Sequence, residues 1–412
     1  MRDIKSLTAA LEELAAKPLE SVSVIDFMDL VIELAYVTKA SDIHLEPGDN
    51  AVRMRFRTDG LLRDILDKKL ISRALHQEVI SRIKVMSGLR TDEHFLPQDG
   101  RLRVRLKEAG EIDVRVSIMP TYHGENAIMR VLAETQNFGL KDLGYVAEDL
   151  EKVMKAIRKP YGMILANGPT GSGKTTTLYT ILKELHKPEI SIVTIEDPIE
   201  YSLEGTTQIQ VDMQTGLTFA NGLRSILRQD PNIIMVGEIR DSDTASIAVN
   251  AALTGHLVLS TLHTNDAATT FPRLIDMGVP PFLVASTVNI AMGQRLVRKL
   301  CQKCKKERTL TDKELKSLLE IAPKQTTIKT KVFFSPSGCD ACGGTGFESR
   351  IGIREVLEVS DEIRQLIVSR ASAQDIKVAA VRGGMLTMFA DGMQKAAQGL
   401  TTIEEILRII HE

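Results

Sequence analysis

At 412 residues, with 43% hydrophobic and 26% charged content, the chain is long enough for two or three globular domains. A formal net charge of −2 removes the global basic field that drives non-specific nucleic-acid binding, and 4% aromatics without tryptophan offers few base-stacking platforms. No apolar run approaches the ~18–20 residues of a membrane span, and Met1-Arg2-Asp3-Ile4-Lys5 lacks the layout of a signal peptide, so the expected address is cytoplasmic.

Residues 1–20 predict a short polar helix with Leu7, Leu11 and Leu14 on one side, ending near Pro18. Val24 to Val37 is apolar nearly all round, which predicts a buried helix. A polar turn, Ala40 to Pro47, then leads into a strand. From residue 51 to 132 the period changes to two. Apolar and basic residues alternate in Val52-Arg53-Met54-Arg55-Phe56-Arg57, and Thr58-Asp59-Gly60 supplies a hairpin turn. The alternation returns in Arg101 to Arg105 and Asp113 to Ile118, giving a sheet with one apolar and one arginine-rich face. A helix from Leu75 to Met86 is expected to cover the apolar face, and Phe138 to Asp142 reads as the hinge out of this small α+β domain. The arginine face has three readings: solvated residues paired with acids, arginines reaching a phosphate in trans, or contacts to a nucleic-acid backbone.

From residue 143 to 300, short apolar strands (Met163–Ala166, Ser191–Ile195, Ile233–Val236, Leu257–Thr261) alternate with helical stretches. This rhythm predicts a mostly parallel sheet covered on both faces. After the first of these strands comes Gly168-Pro169-Thr170-Gly171-Ser172-Gly173-Lys174-Thr175, followed by a helical stretch from Thr176 to Leu185. The pattern G-x-x-x-x-G-K-[ST] between a strand and a helix is that of a phosphate-binding loop. Its backbone N–H groups turn inward around phosphate oxygens and the helix adds its positive end. Lys174 is placed to reach the β- and γ-phosphates of a nucleoside triphosphate, and the Thr175 hydroxyl to join Mg²⁺.

The remaining polar residues of this region cluster at strand ends, where open α/β sheets bind ligands. Glu238, after Ile233-Ile234-Met235-Val236-Gly237, is expected to polarise the attacking water or hold the magnesium shell. Glu196, Asp197 and Glu200 follow another strand, and clustered acids favour a metal–phosphate site over a solvated loop. His263 closes the strand that begins beside His256, and it senses the γ-phosphate, links the site to a neighbouring subunit or plays a structural part. Beyond residue 300, Cys301-Gln302-Lys303-Cys304 and Cys339-Asp340-Ala341-Cys342 are separated by 34 residues. Two C-x-x-C pairs supply four thiolates for a tetrahedral structural Zn²⁺, with redox dithiols or free thiols as the alternatives. The tail from Asp361 reads as helices broken at Gly383-Gly384, Gly392 and Gly399.

At these residues the chain resembles the secretion ATPase superfamily, and more closely the type II secretion and type IV pilus assembly ATPases. Four boxes stand in the family's order: the Walker A loop, Gly168 to Thr175; an aspartate box, Thr194 to Tyr201; a Walker B stretch, Leu227 to Asp241; and a histidine box, Ala252 to Asn265. The likeness runs from Ala40 to Pro47 onward. It implies a RecA-like P-loop domain with a mainly parallel sheet, preceded by a small α+β, PAS-like domain and followed by a zinc-knuckle insertion and a helical C-terminal region. The expected limits are 1–137 for the first domain, 138–142 for a linker, 143–300 for the ATPase core, 301–348 for the tetracysteine insertion and 349–412 for the helical region.

The resemblance also implies a function: a homo-hexameric ATPase of two-lobed subunits, peripheral to the inner membrane, driving a platform protein that assembles pilin-like subunits. It assigns the nucleotide to Gly168–Thr175 with Thr176, magnesium to Thr175 and Glu238, and catalysis to Lys174, Glu196, Glu238 and His263. Arg101 and Arg115 are expected to reach the phosphates. The cysteine insertion is similar to that of the assembly and export branch, which favours extension over retraction. Many members carry a further N-terminal docking domain, whereas about 20 residues precede the second helix here. The chain is therefore expected to be either a short-form motor or a trimmed one. A nucleic-acid translocase and a non-catalytic nucleotide-binding scaffold are the competing functions.

Overall fold

The computed structural model describes residues 3–49, 51–66, 71–106, 110–132, 138–322, 328 and 330–411. The chain divides into two compact units, Met1–Gln136 and Asn137–Glu412.

The first unit opens with α1 (Ile4–Ala16), capped by Asp3, and α2 (Val24–Val37), capped by Ser23. Then follow β1 (Ala40–Pro47), β2 (Val52–Thr58), β3 (Leu61–Asp64), α3 (Arg73–Met86), β4 (Gln98–Leu106), β5 (Gly110–Thr121) and β6 (Gly124–Leu132). The strands form one antiparallel sheet in the order β3-β2-β1-β6-β5-β4. Asp59 and Gly60 both have positive φ, the geometry of a two-residue hairpin turn matched to strand twist. Alternation decides the faces. Ile43, Met54, Phe56, Leu102, Val114, Val116 and Met129 are buried, and α1, α2 and α3 all join their core. The apolar face is thus covered by three helices, not by α3 alone, because α2 buries residues on most of its circumference.

The second unit starts with a short helical turn at Leu140–Leu143 and α4 (Ala147–Ile157). It continues through β7 (Gly162–Asn167), α5 (Lys174–Leu185), β8 (Ile192–Glu196), β9 (Thr207–Gln210), α6 (Phe219–Ile226), β10 (Ile233–Val236), α7 (Ser242–Leu253), β11 (Leu257–Leu262), α8 (Thr270–Asp276) and α9 (Pro281–Thr287). Beyond these lie β12 (Val288–Leu300), β13 (Lys306–Thr309), α10 (Asp312–Ile321), β14 (Val332–Ser335), β15 (Phe347–Glu358), α11 (Asp361–Val368), α12 (Ala373–Arg382), α13 (Met388–Ala397) and α14 (Ile403–His411). The sheet order is β15-β12-β7-β11-β10-β8-β9, parallel from β12 to β9, with β15 antiparallel on the edge. Two cores, one on each face, sandwich the strands, as buried parallel sheets require.

The helical tail begins at Asp361, not at 349, because residues 347–358 pair with β12 along its length. The cysteine insertion is built from β13, α10 and β14. Its Leu310, Leu318 and Phe333 share a small core with Phe389, Met393 and Ile406 of α13 and α14.

Candidate active site

Parallel register sets the geometry. β7, β11 and β10 are neighbours, so Gly168, His263 and Glu238 emerge at the same edge of the sheet. β7 is buried throughout and ends at Asn167. Gly168 then turns the chain at φ +144°, where a Cβ would lie 2.5 Å from the Gln294 carbonyl and 2.7 Å from Ser172 Oγ. Only glycine fits that approach. Gly173, left-handed, hands the chain to α5 at Lys174.

Lys174 is 8% exposed and folds back over the loop, its Nζ donating to the Gly168 carbonyl at 2.7 Å and the Pro169 carbonyl at 3.0 Å. Burial pushes its pKa down to about 8, with the negative charge of Glu238 opposing the shift. Among the described residues, Ser172 Oγ and both polar side-chain atoms of Asn167 are buried without a hydrogen-bond partner. Unpaired polar atoms are costly inside a protein, and here they line a glycine-rich loop at a helix N-terminus. The residues present therefore fit a phosphate group, with Thr175 half-buried in the first turn of α5.

Glu238 is 7% exposed, and both of its oxygens are engaged. Oε1 lies 2.5 Å from Arg240 Nη2, and Oε2 lies 2.9 Å from His263 Nε2. Arg240 therefore pairs with this carboxylate. Asp241 caps α7, accepting from the Thr244 N–H at 2.7 Å and its hydroxyl at 3.0 Å. His256 lies at the opposite, amino end of β11, with Nδ1 2.9 Å from the Ala251 carbonyl.

Glu196 ends β8 and is 3% exposed. Its carboxylate accepts from Thr194 Oγ1 at 2.6 Å, from Gln208 Nε2 at 3.1 Å and from the Tyr179 hydroxyl. Burial and the Glu196 charge push the Tyr179 pKa upward, which keeps that hydroxyl a donor. The structure thus joins Glu196 to α5 and β9. Asp197 is exposed and Glu200 half-buried. Among the described residues, the four cysteines are the one group of three or more metal-type donors that converges, so the acids of the aspartate box do not gather around a shared point.

The four Sγ atoms lie within 4.8 Å of one another. Cys301–Cys339 is 3.9 Å, Cys304–Cys342 3.8 Å and Cys339–Cys342 3.8 Å. A tetrahedral site with Zn–S near 2.3 Å requires S···S of about 3.8 Å, so this donor set fits zinc. The N–H groups of Cys339 and Gly346 reach Cys342 Sγ at 3.2 and 3.1 Å. Against the desolvation that opposes it, those bonds draw the Cys342 thiol down to about 6, toward the ligating thiolate.

In the first unit, Arg101 and Arg115 are directly opposite on β4 and β5, and Arg101 donates to Asp113 at 2.8 Å. Two residues at the nucleotide loops escaped sequence reasoning: Gln294 on β12, bonded to the loop's Ser172 carbonyl, and Glu355 on β15, bonded to the N–H of Ala267. The available signal for the first was a glutamine closing the apolar run Ile290 to Gly293.

A glycine-rich loop between a buried parallel strand and a helix, with a carboxylate two strands away, defines a P-loop nucleoside triphosphatase. Residues 18–408 match the family described as Type II/IV secretion system protein, and the chain belongs to that family as one of its ATPases. It is 47% identical over 382 residues to the type IV pilus assembly ATPase PilB of Thermus thermophilus, covering 92% of this chain and 42% of that protein. It is 45% identical over 406 residues to type II secretion system protein E of Xanthomonas campestris, covering 98% of this chain and 69% of that one. Among solved structures, the pilus retraction motor PilT with bound ADP is 26% identical with a TM-score of 0.62, covering 92% of this chain and 96% of that one. No helix among the described residues is long and apolar enough to cross a membrane.

Proposed function

We propose that the chain is the ATP-hydrolysing motor of a homo-hexamer that powers assembly of pilin-like subunits, in type IV pilus biogenesis or type II secretion. One observation carries the reading. The Walker A loop, Glu238 and His263 sit on adjacent parallel strands at one sheet edge, in a chain matching the family from residue 18 to 408.

Gly168, Pro169, Thr170, Gly171, Ser172, Gly173, Lys174, Thr175 and Thr176 cradle the phosphates of ATP. Thr175 and Glu238 would hold Mg²⁺, which would supply positive charge to offset that of the phosphates. Lys174 leaves the loop carbonyls to face the γ-phosphate. Glu238 orients the attacking water, which requires Arg240 or His263 to release one of its oxygens. The Arg240 and His263 side chains are 62% and 47% exposed, so either can turn to water when Glu238 changes partner. His263 then reports the state of Glu238 to the loop that follows β11. Glu196 fixes α5 through Tyr179. Arg101 and Arg115 serve as phosphate-contacting arginines. Cys301, Cys304, Cys339 and Cys342 hold a structural Zn²⁺, which crosslinks the insertion.

The partner is an inner-membrane platform protein, and the motor is cytoplasmic and held at the membrane through that partner. The cysteine insertion favours the assembly and export branch over retraction. The test is ATPase rate against protein concentration, paired with mass by light scattering. Activity that rises with a roughly six-subunit particle supports the motor. Full activity in the monomer removes it.

A further inference from the structure

The two loops that flank the phosphate position are gripped by neighbouring positions of one strand pair. β12 lies between β7 and the edge strand β15, and Gln294 faces Arg354 where Gly293 faces Glu355. Gln294 is 1% exposed. Its Nε2 donates to the Ser172 carbonyl at 2.9 Å, and its Oε1 accepts from the Thr177 hydroxyl at 2.9 Å. One side chain therefore ties the turn of the loop to the first turn of α5, on either side of Lys174. Glu355, also 1% exposed, accepts from the Ala267 N–H at 2.8 Å and from the Met388 N–H at 3.4 Å. Lys377 of α12 lies 3.8 Å from Glu355 and pairs with Asp266 at 2.9 Å. Asp266 and Ala267 belong to the loop that begins at His263.

Buried amides and carboxylates are tolerated when their hydrogen bonds are satisfied, and here the partners are mostly loop backbone. Loop atoms held this way keep one position, and a drift of about 1 Å can slow a positioned reaction by as much as about a hundredfold. Neither side chain contacts the place of the reacting atoms. We propose that Gln294 and Glu355 are positioning residues of the ATPase site, Gln294 setting the phosphate loop and Glu355 the His263 loop. The proposal rests on the reading of Gly168–Thr176 as an ATP site.

The roles separate in kinetics. In the full-length chain, Gln294→Met keeps the shape and removes both bonds. It is expected to raise KM for ATP, and the Kd of a fluorescent ATP analogue, about tenfold, from the unpaired loop carbonyl, with a smaller change in kcat. Glu355→Leu is expected to lower kcat about tenfold with KM nearly unchanged, and Glu355→Gln, which keeps an acceptor for Ala267, to restore most of it. If Gln294→Met does not fold, Thr177→Val carries the same test with one bond lost, and a KM raised about threefold is then expected. Wild-type KM and kcat in folded Gln294→Met and Glu355→Leu overturn the proposal. So does a lowered melting temperature with both kinetic constants intact. A wild-type chain that binds no ATP sinks the reading of the site, and the proposal with it.

Discussion

Lys174 makes the nucleotide site a proton-linked one, with a magnitude that follows from its surroundings. Its Nζ rests on two loop carbonyls, and burial holds its pKa near 8, down from 10.5, while Glu238 opposes the shift. A triphosphate in the loop favours the charged ammonium and returns the pKa toward the ordinary lysine value. Binding must then take up protons at any pH between those two values. At pH 8.5 the free lysine is roughly one-quarter protonated and the bound one fully so, which gives an uptake of ~0.75 proton per site. At pH 7.5 the same arithmetic gives ~0.25 proton, and affinity weakens about tenfold between pH 7 and pH 9. Ordinary carboxylates, imidazoles and the γ-phosphate are deprotonated at pH 8.5, so the lysine signal stands apart there. The assay is calorimetric titration with a non-hydrolysable ATP analogue, in two buffers of different ionisation enthalpy, at both pH values. An uptake under about 0.1 proton at pH 8.5, or one equal at both pH values, refutes the reasoning.

The other expectations are shorter to state. Glu238→Gln keeps the hydrogen-bonding shape but removes the charge, so ATP should stay bound while turnover falls at least about a hundredfold; wild-type hydrolysis would remove Glu238 as the residue that orients water. About one zinc per chain is expected by metal analysis after removal of any affinity tag, and strong chelation should lower the melting temperature, since the cysteines anchor the insertion packed on α13 and α14. A metal-free chain of unchanged stability would contradict that. Arg115→Gln should lower ATP turnover with nucleotide binding retained, read from steady-state kinetics beside a binding assay; wild-type turnover would remove Arg115 as a phosphate contact.

The parts of the fold legible in the sequence are those where a single physical period ran uninterrupted. The strands β7, β8, β10 and β11 are short, mainly apolar runs buried on both faces, each ending in or followed within two residues by a chemically distinctive one: Gly168, Glu196, Glu238 and His263. The arginine sheet announced itself by strict alternation. β12 and β15 did not, because their buried positions include Gln294, Arg354 and Glu355, polar residues that interrupt any apolar period. Each is buried for the sake of a partner in another element: Arg354 donates to the Leu143 carbonyl, Gln294 to the phosphate loop, and Glu355 accepts from the His263 loop. The strands are also separated in sequence by the whole cysteine insertion. Glu196 shows the same limit at the site. Its position after a strand was readable, but the cage of Tyr179, Thr194 and Gln208 draws donors from α5, β8 and β9.

The arginine face bears on function through its register. Arg101, Arg115, Arg130, Asp42 and Arg57 are successive cross-strand partners on β4, β5, β6, β1 and β2, one row across five strands. Asp42 takes Arg130 at 2.9 Å and lies 3.5 Å from Arg57, while Asp113 takes Arg101 and Arg103 at 2.8 and 3.1 Å. Arg115 stands between two further arginines. Four guanidinium groups in one row, Arg101, Arg115, Arg130 and Arg57, concentrate positive charge along a single line of the sheet, and an anion brought to that line meets arginines from several strands at once. The readings of Arg115 separate on one substitution. An arginine kept for structure loses stability on becoming glutamine, with turnover per folded chain unchanged. An arginine kept for a phosphate loses turnover in a chain that still folds and still binds nucleotide.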